Sequence, residues 1–167
     1  RLMSTNLLKR LESSVNSFRL SLGRIEQLIS NTIAKIDAGA TTVDDYDMGD
    51  LDIDDAEATV GGKKSKILLS DMDTLSWKRD LKADLDVLAL LRIMLSDITP
   101  EHDTKLQTLK KVVYDKIDNP INGRNKKVII FTAFSDTAEY LYNCLADTIL
   151  KDKGLHTAMI TGDIDSR

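Results

Sequence analysis

Residues 127–132, Lys-Val-Ile-Ile-Phe-Thr, form the stretch that decides the fold class of this chain of 167 residues. Its centre is a short apolar run rich in β-branched residues, which is typical of a strand buried on both faces of a parallel sheet. A helical pattern follows from Ser135 to about Lys151, and His156–Thr161 has the pattern of a second strand. Strand, helix and strand in this order predict a βαβ unit with a right-handed crossover.

Upstream of that unit, apolar residues recur at helical spacing in two long segments. In the first, from Leu8 to Ile36, they are three or four residues apart, which is the pattern of a coiled-coil seam. The second runs from about Ser70 to Ile98, and its apolar stripe is wide enough to be buried on more than one side. We expect the two helices to pack as an antiparallel pair. Thr99–Glu101 then predicts the start of a shorter helix, which Asn119–Pro120 ends.

An acidic segment separates the two long helices. Residues 44–57 (DDYDMGDLDIDDAE) hold eight carboxylates, and no Lys or Arg occurs between Lys35 and Lys63. Because like charges repel and little of this segment can be buried, we predict a flexible surface insert. A calcium loop is a poor alternative, since the glycine and the closing glutamate of an EF-hand are missing. A docking surface for a basic protein partner remains an alternative.

Composition excludes several classes of protein. Apolar residues make up 42% of the chain, which is enough for a core, and no apolar run is long enough to cross a membrane. Cys144, His102 and His156 are too few for a structural zinc site, and a single cysteine favours a reducing, cytoplasmic setting. The net charge of −4 becomes +4 once the eight carboxylates of the insert are left out. The rest of the chain is therefore mildly basic.

Candidate binding residues follow the two predicted strands. In an open α/β sheet, ligands bind beyond the carboxyl ends of the strands, here Thr132–Asp136 and Thr161–Asp163. Each end offers a hydroxyl, and the first leads into a helix N-terminus, which attracts anions. Asp136 and Asp163 add negative charge nearby. From the residues alone, a phosphate site and ordinary capping of the helix by Ser135 or Asp136 both stay open.

The ordered set of segments resembles superfamily 2 helicases. Residues 127–141 (KVIIFTAFSDTAEYL) are similar to the motif IV region that begins their second RecA-like domain. Residues 161–167 (TGDIDSR) are similar to a later segment, with threonine where many members have histidine. Residues 102–113 (HDTKLQTLKKVV) resemble the helix that leads into this domain in Swi/Snf-type ATPases. Residues 7–22 (LLKRLESSVNSFRLSL) resemble the helical region of bacterial Swi/Snf-like helicase proteins.

The resemblance implies a function for a longer parent protein, of which this chain is a fragment that begins at Arg1 and stops at Arg167. The parent would use ATP and Mg²⁺ to move along nucleic acid, DNA rather than RNA. The family's Walker A loop, DExx box and last-motif arginines are not in this sequence, so no catalytic residue, bound cofactor or metal is expected in the fragment. Contacts to backbone phosphates are implied at Thr132, Ala133, Ser135, Thr161 and Gly162, with added attraction from Arg124, Lys126 and Lys127.

We therefore predict an α/β chain that is predominantly helical. Its segments are a long amphipathic helix over 1–37, the acidic insert over 38–69, a helical region over 70–118 that packs on the first helix, and the truncated start of the RecA-like domain over 119–167. Two other functions stay open. One is a non-enzymatic helical module for protein interaction, built on the coiled-coil seam and the insert. The other is a flavodoxin-like half that binds a mononucleotide.

Overall fold

The computed structural model describes residues 2–44 and 66–162, and this part of the chain is predominantly helical. The elements among these residues are α1 (Leu2–Ser13), α2 (Val15–Asp37), β1 (Thr42–Asp44), β2 (Lys66–Leu68), α3 (Thr74–Ser96), α4 (Thr104–Asp118) and α5 (Ser135–Lys153). A single 3-10 turn over Leu69–Asp71 follows β2. The predicted helical character is confirmed.

The chain divides into two compact units, each described by itself. Among the described residues, the first contains 2–9, 18–44 and 66–96, and the second contains 10–17 and 97–162. The sequence predicted residues 70–118 as one helical region. In the structure α3 belongs to the first unit, whereas α4 belongs to the second.

A helix pair forms the core of the first unit. Leu22 and Ile25 of α2 are buried together with Leu88 of α3, and a ring of half-buried side chains packs around them: Leu7, Phe18, Ile29, Leu85, Leu91 and Leu95. The spacing of these residues puts them on one face of each helix. Within this unit, α2 and α3 therefore pack through their apolar faces.

The long helix predicted over 1–37 is interrupted once, at Ser14, in the second unit. The Ser14 hydroxyl accepts a hydrogen bond from the backbone N–H of Ser17 at 2.9 Å, which caps the first turn of α2. A serine in this position competes with helix continuation by satisfying a first-turn donor. One apolar periodicity therefore covers two helices.

A short antiparallel ladder brackets the acidic segment. Thr42 pairs with Leu68, Val43 with Ile67 and Asp44 with Lys66, and Val43 is buried. The sequence did not predict these strands, because three residues are too few to show an alternating pattern. The predicted flexible insert, apart from its two ends, lies outside the described residues.

Helices α4 and α5 form the core of the second unit. Leu106, Val113 and Ile117 of α4 are buried against Leu145 and Ile149 of α5. Helix α4 begins at Thr104 with Asp103 as its cap, four residues after Thr99, the cap that the sequence predicts. The Asp103 carboxylate accepts a hydrogen bond from the backbone N–H of Leu106 at 3.0 Å. Thr99 is too far from Leu106 along the chain for its hydroxyl to make this bond.

The two predicted strands of the βαβ unit carry no ladder in the part of the chain that the structure describes. Residues 125–132 and 154–161 are irregular, and only β1 and β2 pair. Their apolar side chains are largely exposed, among them Ile129, Ile160 and Phe131, which is 90% exposed. Parallel strands are normally buried on both faces of a sheet, and two strands alone are too few to form a stable one. The parallel RecA-like sheet is therefore not shown.

Candidate nucleic-acid interface

The first group of candidate residues lies immediately before and at the start of α5. Thr132 donates a hydrogen bond through its hydroxyl to the backbone carbonyl of Phe134 at 2.8 Å, and Ala133 is exposed. Ser135 is the first residue of the helix and is half-buried. The helix cap is Phe134, not Ser135 or Asp136, and its side chain supplies no acceptor. The partial positive charge at a helix N-terminus therefore acts next to two hydroxyls.

Arg10, which the sequence did not predict as a site residue, contacts this start of α5. Its Nη1 lies 2.8 Å from Asp136 Oδ2, and the two side chains are only 6% and 11% exposed. The same guanidinium lies over the Phe134 ring, with its Cζ 4.7 Å from the ring centroid. Nη1 also donates a longer bond of 3.4 Å to the Ser17 hydroxyl. Arg10 therefore contacts the residues on both sides of Ser135.

A second set of contacts joins the end of α1 and Ser14 to Thr137 of α5 and to Lys105 of α4. Thr137 Oγ1 lies 2.8 Å from Ser13 Oγ and 3.2 Å from Ser14 Oγ. Lys105 donates to the backbone carbonyls of Glu12 and, at 3.1 Å, of Ser13. A cation at the last carbonyls of α1 is favourable for the helix dipole.

Burial makes these polar contacts important for stability. Arg10, Ser14, Ser17 and Thr137 are all buried, and each has a polar partner. A substitution that removes one of these side chains takes a hydrogen bond away from a buried group. Such a loss costs about 1–3 kcal/mol for a neutral group and more for a charged one. Polar contacts therefore help to fix the start of α5.

The second group of candidate residues, Thr161 and Gly162, lies at the end of the described chain. Thr161 is half-buried and Gly162 is exposed. No hydrogen bond or ion pair recorded among residues 2–44 and 66–162 joins them to Thr132, Ala133 or Ser135.

The basic residues that precede the first group are exposed. Arg124, Lys126 and Lys127 all lie on the surface, and Asn125 accepts the N–H of Lys127 at 3.0 Å. Lys116 donates to the carbonyl of Asn125 at 3.4 Å. Exposed cations in this position attract a polyanion without selecting its sequence.

Tyr140 and Cys144 lie further along α5, and both are half-buried. The Tyr140 hydroxyl donates to Asp103 Oδ2 at 3.0 Å, so the carboxylate that caps α4 also binds α5. Burial and that hydrogen bond raise the pKa of Tyr140 well above its ordinary value. Burial likewise raises the pKa of the Cys144 thiol. Both groups are neutral at physiological pH, which fits a structural role.

The described residues show no centre for metal chemistry or for membrane insertion. No three His, Cys, Asp or Glu side chains converge as a metal ion would require in residues 2–44 and 66–162. Within the same stretches, no helix is both long and apolar enough to span a bilayer.

Comparisons of the chain with protein-family models, with curated proteins and with solved structures found no match. The residues at the start of α5 and the resemblance of the sequence to superfamily 2 helicases are therefore what a functional proposal rests on. Arg10, Ser13 and Ser14 were missed because single polar residues within a helical pattern carry no periodic signal. The signal that could have found them is their place in residues 7–22, one of the segments that carry the resemblance.

Proposed function

We propose that this chain is part of an ATP-dependent nucleic-acid helicase or translocase of the superfamily 2, Swi/Snf-like type. In that role it supplies part of the surface that contacts the nucleic-acid backbone. The observation that carries the proposal is the start of α5, where Thr132 and Ser135 stand at the positive end of a helix that polar contacts hold in place. Hydroxyls and helix N-termini are common partners of backbone phosphates.

A second observation supports the same proposal. Residues 7–22 and 127–141 resemble separate parts of the same helicase family, and their side chains contact each other through Arg10, Ser13 and Ser14. Two segments that resemble one family and lie more than a hundred residues apart in sequence are therefore neighbours around Ser135. Such proximity is what a common site requires.

We further propose that residues 127–132 and 156–161 pair as parallel strands when the other strands of a RecA-like sheet are present. Val128, Ile129 and Ile130 line a groove of about 400 Å³ together with α4 residues Leu109 and Val112. Exposed apolar side chains on both segments would be covered by such a sheet. The carboxyl ends of the two strands would then bring Thr132 and Thr161 to one edge.

The residues present do not fit a site for ATP and Mg²⁺. A phosphate loop is missing from the sequence, and no cluster of carboxylates suitable for a metal ion occurs among the described residues. ATP hydrolysis therefore belongs to other parts of the parent protein. The single cysteine favours the reducing cytoplasm as its compartment.

The decisive experiment measures ATP hydrolysis by the parent protein with duplex DNA, with single strands and with RNA. This chain alone is the control and is expected to be inactive. Stimulation by one nucleic acid would support the proposal and identify the track. A parent whose hydrolysis responds to none of them would contradict it.

Direct binding tests the site itself. Fluorescence anisotropy of a fluorescein-labelled single-stranded oligonucleotide should report binding by this chain, with weaker binding after Ser135→Ala. Ser70→Ala removes an exposed hydroxyl in the first unit and is the matched control, for which no change is expected. Removing Lys126 or Lys127 should weaken binding to every sequence and lower the slope of log affinity against log salt by about 1 each.

A helical module for protein interaction is the second candidate function. The observation that favours it is the outer face of α3, where Val87, Leu90, Ile93 and Met94 are all exposed. An apolar patch of this kind is a common feature of binding surfaces. Light scattering over a range of concentrations would show a dimer that Ile93→Asp abolishes, whereas a monomer at all concentrations would count against self-association.

A further inference from the structure

We propose that Arg10 is a positioning residue of the nucleic-acid interface. Its guanidinium neutralises Asp136, the carboxylate that immediately follows Ser135, and so allows a phosphate to approach the start of α5. This inference rests on the proposed function. It adds a residue that lies outside the predicted contacts and about 125 positions from them in sequence.

The geometry of the pair separates it from an ordinary surface contact. Arg10 Nη1 lies 2.8 Å from Asp136 Oδ2, and both side chains are almost completely buried. The guanidinium also stacks on Phe134, so it touches the residue before Ser135 and the residue after it. Ser13 and Ser14 add hydroxyl contacts to Thr137, one residue further along. These contacts therefore hold the residues that flank Ser135.

Charge compensation is the reason that the pair matters for binding. Asp136 lies in the first turn of α5, where a carboxylate is favourable for the helix dipole but repels a phosphate. Solvent ions screen a buried charge much less than an exposed one. Without Arg10, the negative charge of Asp136 would offset the attraction of the helix N-terminus for an anion. With Arg10 in place, the net charge of the pair is zero.

An electrostatic role for Arg10 and a purely structural role predict different changes in nucleic-acid affinity when the pair is broken. If the pair only held the fold, breaking it from either side would weaken binding. If Arg10 compensates Asp136, then Arg10→Gln weakens binding, because it leaves a negative charge beside the phosphate. Asp136→Asn strengthens binding, because it leaves a positive charge there, and the asparagine oxygen can still accept the bond from Arg10.

The experiment compares oligonucleotide affinity of the full chain and its variants by fluorescence anisotropy at low salt. We expect Arg10→Gln to weaken and Asp136→Asn to tighten binding, each by about two- to fivefold, the range for a charge in the first turn of a helix. Arg10→Lys keeps the charge and should retain most of the affinity. Far-UV circular dichroism confirms that each variant is folded, and Asp136→Asn decides the sign even if Arg10→Gln fails to fold.

Matched controls come from the opposite end of the same helix. Lys153 and Asp118 form an ion pair with a distance of 2.7 Å, well away from Ser135 in sequence. Lys153→Gln and Asp118→Asn change the net charge by the same amounts as the two test variants. They correct for the general effect of net charge on binding a polyanion and should shift the affinity less.

The outcomes distinguish the inference from the proposed function. If wild-type chain binds and Ser135→Ala weakens binding, but Arg10→Gln and Asp136→Asn shift the affinity in the same direction or no more than their controls, the role of Arg10 is overturned and the interface stands. If the wild-type chain binds no nucleic acid, the interface and the inference both fail. Opposite shifts that exceed the controls support both.

Discussion

The two ends of α5 carry ion pairs of nearly equal length in different surroundings. At the start, Arg10 and Asp136 are 2.8 Å apart and their side chains are 6% and 11% exposed. At the end, Lys153 and Asp118 are 2.7 Å apart, but their side chains are 20% and 52% exposed. Distance alone would rank the pairs as equals. Burial separates them, because water and salt reach one pair and not the other.

This difference shows where the helix depends on particular partners. The exposed pair can lose one member, and water solvates the remaining charge. In the buried pair, the loss of one member removes the opposite charge from a group that is shielded from solvent, which is costly. Between the two ends, Leu145 and Ile149 pack against α4 and need only the right volume. Helix α5 is therefore held by a buried ion pair, an apolar contact with α4 and an exposed ion pair. Substitutions at the three places measure these contributions separately.

Arg10→Met should have the largest effect, with a loss of about 3–5 kcal/mol in the free energy of unfolding, because it removes the cation paired with the buried carboxylate of Asp136. Urea denaturation followed by circular dichroism measures it. Arg10→Met combined with Asp136→Leu removes both charges and should recover much of the loss. A single variant that loses less than about 1 kcal/mol would show that the pair behaves as an exposed one.

Leu145→Ala should follow, with a loss of about 3 kcal/mol, because it opens a cavity in the core of the second unit. Leu150→Ala is the matched control on the same helix, since Leu150 is substantially exposed. Its loss should stay below about 1 kcal/mol. Equal losses at the two positions would mean that the α4–α5 contact contributes little to stability.

Tyr140→Phe should lower the free energy of unfolding by about 1–2 kcal/mol at neutral pH, because the Asp103 carboxylate loses a hydrogen bond. The pKa of Tyr140 is raised in the folded chain from an ordinary value of 10.0, so its contribution is fully present below that pH. That stabilising contribution is lost as the pH rises above this value, because the Tyr140 hydroxyl loses its proton more readily in the unfolded chain than in the folded one. The gap between wild type and variant should narrow in denaturation series above about pH 10, and a constant gap would contradict this reading.

Lys153→Met should have the smallest effect, below about 1 kcal/mol, because its partner Asp118 is half exposed. Lys153 also lies over the Tyr114 ring at 5.0 Å, which adds a weak contact. Raising the salt concentration should remove most of the difference in thermal unfolding. A loss comparable to that of Arg10→Met would show that burial is not what separates the two ends.

Periodicity explains which parts of the fold the sequence predicts. Leu22, Ile25 and Leu88 follow helical spacing, so the α2–α3 pair is predictable from one-dimensional pattern. The start of α4 is less predictable, because Thr99 and Asp103 are both plausible caps. The hydrogen bond between the Asp103 side chain and the Leu106 N–H shows that Asp103 is the cap. Helix caps depend on local geometry that several residues nearby can supply.

The candidate interface is predictable only in part, for two physical reasons. Thr132 and Ser135 are found because a hydroxyl-rich segment between a strand pattern and a helix pattern is a sequence signal. Arg10 is not, because it reaches Asp136 across 126 positions and no local pattern encodes that pairing. The strand pattern of residues 127–132 has no ladder among the described residues, since pairing depends on neighbours as well as on composition.

The β1–β2 ladder has a consequence for the topology of the chain. Asp44 pairs with Lys66, so the two points that bracket residues 45–65 are held side by side. Loop-closure entropy grows only logarithmically, and each doubling of the intervening length costs about 0.6 kcal/mol. The ladder is therefore a junction at which the chain tolerates added sequence, up to a whole fluorescent domain. We expect a domain inserted there to leave the core of Leu22, Ile25 and Leu88 unchanged.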